Sequence, residues 1–292
     1  MGVIKSWAQL EKVCDLAVRA LDAILSYQEY PIPAAANSTR MYRPLGVGVI
    51  NMAYWMAKND IKYNRQALPR VDEWFQHYAF YLTKASVNLA KEFGPCDAYK
   101  NTHYSDGVVP MDRRKKNVDK LLSHTEYSDL DWAGLKEDMK VHGIRNATLM
   151  AIMPSETSST TSNATNGIEP PRSLISTKSS KDGSITQVVP SISVLKNKYD
   201  LAWDRKDMND GYMEIVALIQ KYVDQGISCN EFYNPANYED GKVPASEIID
   251  NLIAHYYYGT KQLYYCNTLD DQGEDGDDKK PAPEEDCDSC KI

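Results

Sequence analysis

The sequence lacks the features that direct a protein out of the cell or into a membrane. Its first residues contain no basic run followed by an apolar core, so we expect no signal peptide. Its apolar runs stop well short of the ~20 residues that a membrane-spanning helix needs. Complete nucleotide-binding motifs are also missing, since Gly46-Val47-Gly48 lacks the third glycine and the basic residue that such motifs require. The lack of a signal peptide and of a membrane-spanning run favours a cytoplasmic protein that does not associate with membranes.

An excess of positive charge is absent too. The formal net charge of the 292 residues is −8, which argues against binding of nucleic acid by phosphate neutralisation. Only 6 cysteines and 5 histidines are present. The cysteines are scattered apart from Cys287 and Cys290, and the histidines show no metal-ligand spacing. We therefore predict neither a disulfide framework nor a metal site.

What is present is the composition of a folded domain, with 42% hydrophobic and 25% charged residues. Amphipathic patterns of helical period, such as residues 6–27 and 71–93, alternate with short apolar runs, such as residues 45–50 and 147–153. Two β-prone runs on either side of residues 181–184 predict a hairpin. Strands that alternate with long helices favour an α/β fold with a mainly parallel sheet.

The end of the chain has a different composition. Residues 270–291 hold ten acidic side chains against three lysines and almost no apolar ones, so they cannot build a core. We expect residues 1–268 to form the folded part and residues 269–292 to form a disordered acidic tail. Cys287 and Cys290 would then be either a dithiol on a flexible arm or incidental cysteines on an inert one.

A group of polar residues follows the second of the apolar runs. It comprises Pro154, Ser155, Glu156, Thr157 and Ser158. A strand that leads into a helix at this point would offer hydroxyl groups and unpaired backbone N–H groups to a phosphate. The same residues also cap helices without binding a ligand. From the residues alone, both interpretations stay open.

Two other features have an ordinary interpretation. Tyr264 and Tyr265 are adjacent, but 20 tyrosines in the chain make one such pair expected by chance; in an extended strand their side chains would point to opposite faces. The basic cluster of residues 113–116 is most simply a solvated surface, with phosphate contact as the alternative. The apolar positions of the helix Ala245–Ala254, namely Ile248, Ile249, Leu252 and Ile253, fit one face that we expect to be buried.

A more specific pattern spans the middle of the chain. It consists of Trp132, Leu135, Gly143-Ile144-Arg145-Asn146, Met150-Ala151 and Pro154. It continues through residues 162–171, and residues 22–35 and 263–268 match the same family. On these residues the chain, from about Leu10 to Ile292, resembles the C-terminal half of the large, catalytic subunit of class I ribonucleoside-diphosphate reductase, of the bacterial and bacteriophage kind.

The resemblance implies a fold and a reaction. The chain would form the second half of a ten-stranded α/β barrel and bind no cofactor itself. A separate N-terminal portion would supply the active-site cysteines, which in the family lie upstream of the segment that matches Leu10. A metal-containing small subunit would supply the radical for the reduction of ribonucleoside diphosphates to deoxyribonucleoside diphosphates. The isolated chain is therefore predicted to be inactive.

The resemblance also assigns roles at three places in the folded part. Residues Pro154 to Ser158 match the loop and helix start that hold the diphosphate of the substrate. Tyr264 and Tyr265 match a stacked pair that passes the radical from the small subunit to the active site. The helix Ala245–Ala254 matches part of the groove that receives the C-terminal tail of the small subunit.

In the tail, Cys287 and Cys290 match the dithiol that reduces the active-site disulfide after each turnover. Thioredoxin or glutaredoxin would reduce this dithiol in turn. The two cysteines are closer together than in a bacterial relative, which leaves their geometry and redox potential open.

Two alternatives stand beside this interpretation. The chain could be a catalytically inert fragment that acts as an interaction or regulatory protein on reductase subunits, or a thiol carrier that uses only its tail. The diphosphate loop, the tyrosine pair and the tail dithiol are all retained, and an inert fragment has no use for the three together. We therefore favour a divided catalytic subunit.

Overall fold

The described part of the chain, residues 1–122, 129–180 and 183–269 of a computed structural model, contains nine α-helices and four short strands. The helices are α1 Trp7–Tyr27, α2 Pro33–Tyr42, α3 Met52–Lys58, α4 Leu68–Phe93, α5 Trp132–His142, α6 Ser158–Thr161, α7 Ile192–Leu195, α8 Met208–Gln220 and α9 Ala245–Tyr258. The strands are β1 Ile175–Ser180, β2 Gly183–Val188, β3 Glu231–Tyr233 and β4 Cys266–Thr268. Short 3-10 turns occupy much of the region between α4 and α5. No helix in these ranges is both long enough and apolar enough to span a membrane.

The long helices α1 and α4 pack against each other. Ser6 caps α1 by accepting a hydrogen bond from the N–H group of Gln9 at 3.2 Å. Helix α1 buries Leu10, Cys14 and Val18, about one residue per turn, whereas α4 is buried over most of its length. Helix α4 is therefore the centre of the core, and α1 covers it from outside.

Short extended segments lie side by side in chain order. Val47 bridges Met150, Ile152 bridges Ile227, and β3 pairs with β4, in each case in parallel. Helices separate most of these segments along the chain, as the crossover connections of parallel strands require. The described residues therefore form an α/β fold with parallel pairing, as the sequence predicts.

Two of these segments are shorter than predicted. Residues 45–50 and 147–153 form isolated bridges and not regular strands. One reason is the carboxylate of Asp224, which accepts hydrogen bonds from the N–H groups of Leu149 (2.8 Å) and Met150 (2.9 Å). Since these N–H groups bind a side chain, they cannot contribute to a ladder with a neighbouring strand.

The predicted hairpin is confirmed, because β1 and β2 pair antiparallel with Ile175 opposite Val188. The helix Pro33–Tyr42 was not predicted, because the prolines at 31 and 33 indicate only where α1 ends. Pro33 is the first residue of the new helix. A proline in the first turn of a helix loses no hydrogen bond and has a suitable φ angle. Near the end of the described residues, regular pairing with β3 begins only at Cys266.

Candidate functional site

The most specific part of the sequence pattern forms a buried polar cluster, which we call the Asp22 cluster. The carboxylate of Asp22 accepts hydrogen bonds from Arg43 Nε (2.7 Å), Asn146 Nδ2 (3.0 Å) and Arg145 Nε (3.3 Å). Ser86 Oγ accepts a hydrogen bond from the backbone N–H of Asn146 and donates one to its side-chain oxygen. Burial alone would raise the pKa of Asp22, but Arg43, Arg145 and Asn146 together outweigh it and hold the pKa below its usual value.

This cluster joins three parts of the fold. Asp22 lies on α1, Ser86 on α4, and Asn146 at the start of the segment that leads to Met150. All the polar groups just described are satisfied within the protein, as buried polar groups must be. Arg145 and Asn146 therefore have a structural explanation, and the candidate chemistry lies elsewhere.

The polar residues from Pro154 to Ser158 follow the same segment at its carboxyl end. Ser155 is buried and has a φ of 61°, a backbone conformation that non-glycine residues rarely adopt. Such strain persists only where the surrounding structure enforces it and is frequent at binding sites. Glu156, Thr157 and Ser158 are exposed, so a ligand can reach this part of the loop.

Close packing holds this loop in place. A Cβ atom at Gly167 would lie 2.8 Å from the carbonyl oxygen of Met153 and 3.1 Å from that of Pro154. Only a glycine allows this approach. Ser159, the second residue of α6, donates its N–H to the carbonyl of Ser155 at 3.0 Å and its hydroxyl to Asn166 at 2.7 Å. These contacts hold the backbone of the loop in place, whereas residues 156–158 are exposed.

Tyr264 and Tyr265 form a contact pair at the surface. Their ring centroids are 4.0 Å apart, and the hydroxyl of Tyr265 donates to that of Tyr264 at 3.2 Å. Opposite faces were expected only in an extended strand, and both residues precede β4 and are not part of a regular strand. Interaction with the neighbouring Tyr265 hydroxyl raises the pKa of Tyr264.

The loop and the tyrosine pair belong to one surface region. The Glu156 carboxylate lies 3.8 Å from the Arg172 guanidinium, which donates in turn to Asn267 Oδ1 at 3.4 Å. The negative charge of Glu156 also contributes to the raised pKa of Tyr264. Residues that are about 110 positions apart in the sequence therefore interact electrostatically.

A second connection runs beneath the surface, through residues that the sequence analysis missed. Asn230 donates to Glu169 Oε1 at 2.8 Å and accepts from the backbone N–H of Tyr265 at 3.1 Å. Burial, with a smaller effect of Glu156, raises the pKa of Glu169 to about 7. A signal for Glu169 was available: an acidic residue between Ile168 and two prolines stands in an apolar setting that favours burial.

Helix α9 turns its polar face, and not the predicted apolar face, towards the core. Asn251 and His255 face inward and are buried, whereas Ile249, Leu252 and Ile253 are more than half exposed. The expectation that the apolar face is buried is therefore wrong for these three residues, and Ile248 is only half-buried.

The reason lies in the strand beneath the helix. Asn251 Nδ2 donates to the hydroxyl of Tyr233 at 2.9 Å, and His255 Nε2 lies 3.6 Å from the carboxylate of Glu231. Both partners belong to β3, so this strand presents polar groups to α9. Polar helix residues are required opposite them, which leaves the apolar residues on the outside.

Cys287 and Cys290 lie outside the described residues, and their role stays a prediction. Of the four cysteines within the described ranges, Cys14, Cys96 and Cys229 are buried and Cys266 is exposed. Within the same ranges no group of three or more histidine, cysteine, aspartate or glutamate side chains is arranged to hold a metal ion.

Known proteins resemble this chain over most of its length. The family described as "Ribonucleotide reductase, barrel domain" matches residues 3–197 and 191–266. The ribonucleoside-diphosphate reductase subunit alpha of Haemophilus influenzae is 49% identical over 282 residues, which are 95% of this chain and 37% of that protein. The corresponding subunit of enterobacteria phage T4 is 43% identical over 290 residues, or 98% of this chain and 38% of that protein.

Ribonucleoside-diphosphate reductase 1 subunit alpha of Escherichia coli is 46% identical over 272 residues, or 92% of this chain and 35% of that protein. The chain thus spans little more than a third of the length of these curated relatives. The family match covers both the Asp22 cluster and the loop from Pro154 to Ser158. This chain belongs to the ribonucleotide reductase family, whose barrel domain it matches over residues 3–266.

Proposed function

We propose that this chain is the C-terminal portion of a divided class I ribonucleotide reductase catalytic subunit that works in the cytoplasm. A separate N-terminal portion would supply the active-site cysteines and the rest of a ten-stranded barrel. Together with a radical-bearing small subunit, the assembly would reduce ribonucleoside diphosphates to deoxyribonucleoside diphosphates. About two thirds of the length of these relatives has no counterpart in this sequence.

Open sheet edges support a missing barrel half. Among the described residues, Val47 and β4 each pair with a neighbour on one side only. Unpaired strand edges recruit other strands. Helix α1 also exposes Leu16 (68%) and Ile24 (52%), which burial against a second polypeptide would remove from water.

The observation that carries the catalytic assignment is the contact between Tyr264 and Tyr265. For a radical to pass, the O–H bond of one phenol breaks and an O–H bond forms at the other, so that one electron and one proton move together. A separation of 3.2 Å with an existing hydrogen bond suits this transfer, which consumes no other reactant. More than half of each side chain is exposed, so a second protein can reach the pair.

The loop from Pro154 to Ser158 would hold the diphosphate of the substrate. Its exposed hydroxyl groups and backbone N–H groups are donors of the kind that bind phosphate. The strained backbone at Ser155 and the close approach of Gly167 would keep these donors in position before substrate arrives, which reduces the entropy cost of binding.

Helix α9 would bind the small subunit. Ile249, Leu252, Ile253 and Tyr256 are exposed at spacings of three and four residues, the pattern of a helix face that packs into a partner's groove or against its helix. This arrangement supports an interface better than it supports a role in this chain's own core.

The tail would complete the cycle through Cys287 and Cys290. The thiolate of one cysteine would attack the active-site disulfide, and the second would resolve the mixed disulfide, which leaves the active site reduced and the tail oxidised. Thioredoxin or glutaredoxin would then reduce the tail. This proposal rests on the sequence alone.

Reconstitution tests the proposal against an inert fragment. The chain is combined with a polypeptide that carries the missing two thirds of the subunit, with the small subunit and with a dithiol reductant. We expect formation of deoxycytidine diphosphate from cytidine diphosphate in the full mixture and none with the isolated chain. If the complex assembles and the small subunit carries its radical, but no product forms, the inert interpretation replaces ours.

A further inference from the structure

A cavity of about 400 Å³ lies at the amino ends of the parallel segments. Its wall includes three residues that stand before these segments in the chain. Thr148 precedes Met150, Asp224 precedes Ile227, and Lys261 precedes β4. The loop from Pro154 to Ser158 lies beyond the opposite end of these segments. The cavity is therefore separate from the site described above, and the proposed function does not use it.

The wall of this cavity carries several positive charges. Among the described residues it includes five cationic side chains: Arg113, Arg114, Lys115, Lys221 and Lys261. Three carboxylates offset them, namely Asp224 in the wall and Asp119 and Asp72 behind it, which pair with Arg114 and Lys221. Five cations against three carboxylates leave an excess of two positive charges in a chain whose net charge is −8.

Most of these cations already have a structural task. Arg114 forms a two-pronged ion pair with Asp119, and Lys115 donates to the carbonyl of Tyr256 at 2.8 Å. Lys221 is buried and donates to Asp72 at 3.2 Å. These three side chains stabilise the walls of the cavity and need no ligand.

Arg113 and Lys261 differ from the other three. Within residues 1–122, 129–180 and 183–269, the side chain of Arg113 forms no hydrogen bond or ion pair, and its guanidinium carries five N–H donors. Lys261 donates to the carbonyls of Val223 (3.1 Å) and Asp224 (2.6 Å) and retains a third N–H. Burial, opposed by Asp224 and assisted by the nearby positive charge of Arg113, lowers the pKa of Lys261.

We infer that this cavity binds a phosphate-bearing small molecule through its phosphate group, held by Arg113 and Lys261. An anion between the two cations would remove their mutual repulsion and supply acceptors for their remaining N–H groups. A guanidinium and an ammonium together suit the several oxygens and multiple charge of a phosphate better than a single carboxylate. The volume exceeds that of one phosphate ion, and apolar wall residues such as Val109 and Val118 leave room for an organic part.

The basic cluster at residues 113–116 provides an internal control. Arg113 lines the cavity, whereas Lys116 belongs to the same cluster but does not line it. Attraction of anions to the cluster as a whole depends on both residues, because it depends on net charge and distance. Of these two residues, only Arg113 should affect binding inside the cavity.

The experiment titrates the full-length chain with inorganic pyrophosphate by isothermal titration calorimetry. Two or three charge-assisted hydrogen bonds predict a dissociation constant of roughly 0.1 to 1 mM. The Arg113→Gln variant should weaken binding roughly tenfold, as loss of one such bond predicts. The Lys116→Gln variant should change the constant by less than roughly twofold, as expected for an exposed charge outside the site.

Melting temperatures of the variants show whether each still folds, and Lys261→Gln gives a second variant of the site. No heat of binding at 10 mM pyrophosphate, roughly tenfold above the weakest affinity expected, would overturn the proposal. Equal weakening by Arg113→Gln and Lys116→Gln would overturn it as well, because it would mean that pyrophosphate binds to the charged surface and not in the cavity.

Discussion

Asp22 and Glu156 both lie in segments that match the family closely, yet their surroundings differ in every physical respect. Asp22 is buried between two arginines and an asparagine that bind both of its oxygens. Glu156 is exposed, and its ion pair with Arg172 is long, at 3.8 Å. Similarity of sequence alone does not separate these two cases, whereas burial and hydrogen-bond partners do.

The difference separates residues that hold the fold from residues that can act on a ligand. A buried charge with a full set of partners is costly to remove and has no capacity left for a substrate. Exposed groups such as Glu156 and Tyr264 contribute little to stability and can exchange partners. The Asp22 cluster is therefore predicted to respond in stability, and the region around Tyr264 in activity.

Tyr264→Phe and Tyr265→Phe should have the largest effect on activity. Phenylalanine has no O–H bond to give or receive, so turnover of the reconstituted complex should fall by at least roughly a thousandfold. Because both side chains are exposed, the free energy of unfolding should change by less than about 0.5 kcal/mol. Product formation and urea denaturation measure the two quantities.

Tyr27→Phe is the matched control, since Tyr27 is also exposed, at 91%, but lies on α1. It should leave turnover unchanged. Near-normal turnover of Tyr264→Phe would mean that the tyrosine pair does not carry a radical and is ordinary surface packing.

Asp22→Ala should have the largest effect on stability. It leaves Arg43 and Arg145 without their carboxylate in a buried site, which costs about 3–5 kcal/mol. The melting temperature should fall by about 10 °C. Asp15→Ala on the same helix breaks an exposed pair with Arg19 and should cost no more than about 1 kcal/mol. Equal effects of the two substitutions would remove the distinction on which the comparison rests.

Much of the fold was predictable because the apolar periodicity of a long helix is a strong signal. The predicted helices at residues 6–27 and 71–93 are confirmed, with small shifts of their ends. The hairpin was predictable from its turn. Periodicity does not tell which way a face points, however, and this is why the apolar face of α9 was predicted to be buried.

The candidate site was predictable only as separate pieces. The loop at Pro154 and the pair at Tyr264 each matched the family, but nothing local brings them together. Glu169 and Asn230 connect the two regions across 61 residues of sequence, and a side chain with such a distant partner has no sequence pattern of its own. Asp224 could not be predicted as a partner of Leu149 for the same reason.

The pH dependence of stability should also distinguish the two regions. The pKa of Glu169 is raised to about 7 from 4.5, so its protonated form favours the folded state. This contribution is fully present below about pH 4.5 and is lost as the pH rises through about 7. Asp22 has a lowered pKa, and its contribution is lost instead as the pH falls below about 4.

Glu169→Gln should therefore remove up to about 3 kcal/mol of the decrease in unfolding free energy between pH 5 and pH 8. Urea denaturation at several pH values measures it. Glu137→Gln, at an exposed position on α5, should leave the pH profile unchanged. A Glu169→Gln profile identical to that of the unaltered chain would contradict the assignment of the buried carboxyl.

Leu252→Glu on α9 should have the smallest effect, and only on binding. Leu252 is 53% exposed between Ile249 and Ile253, so a carboxylate there meets water in the free chain and should leave the melting temperature nearly unchanged. If this face packs against the small subunit, the charge becomes buried, and the affinity should weaken roughly tenfold. Val141→Glu places the same charge at a 74% exposed position on α5 and should not affect affinity. Surface plasmon resonance with the small subunit compares the two variants, and equal affinities would mean that α9 exposes its apolar residues to some other partner.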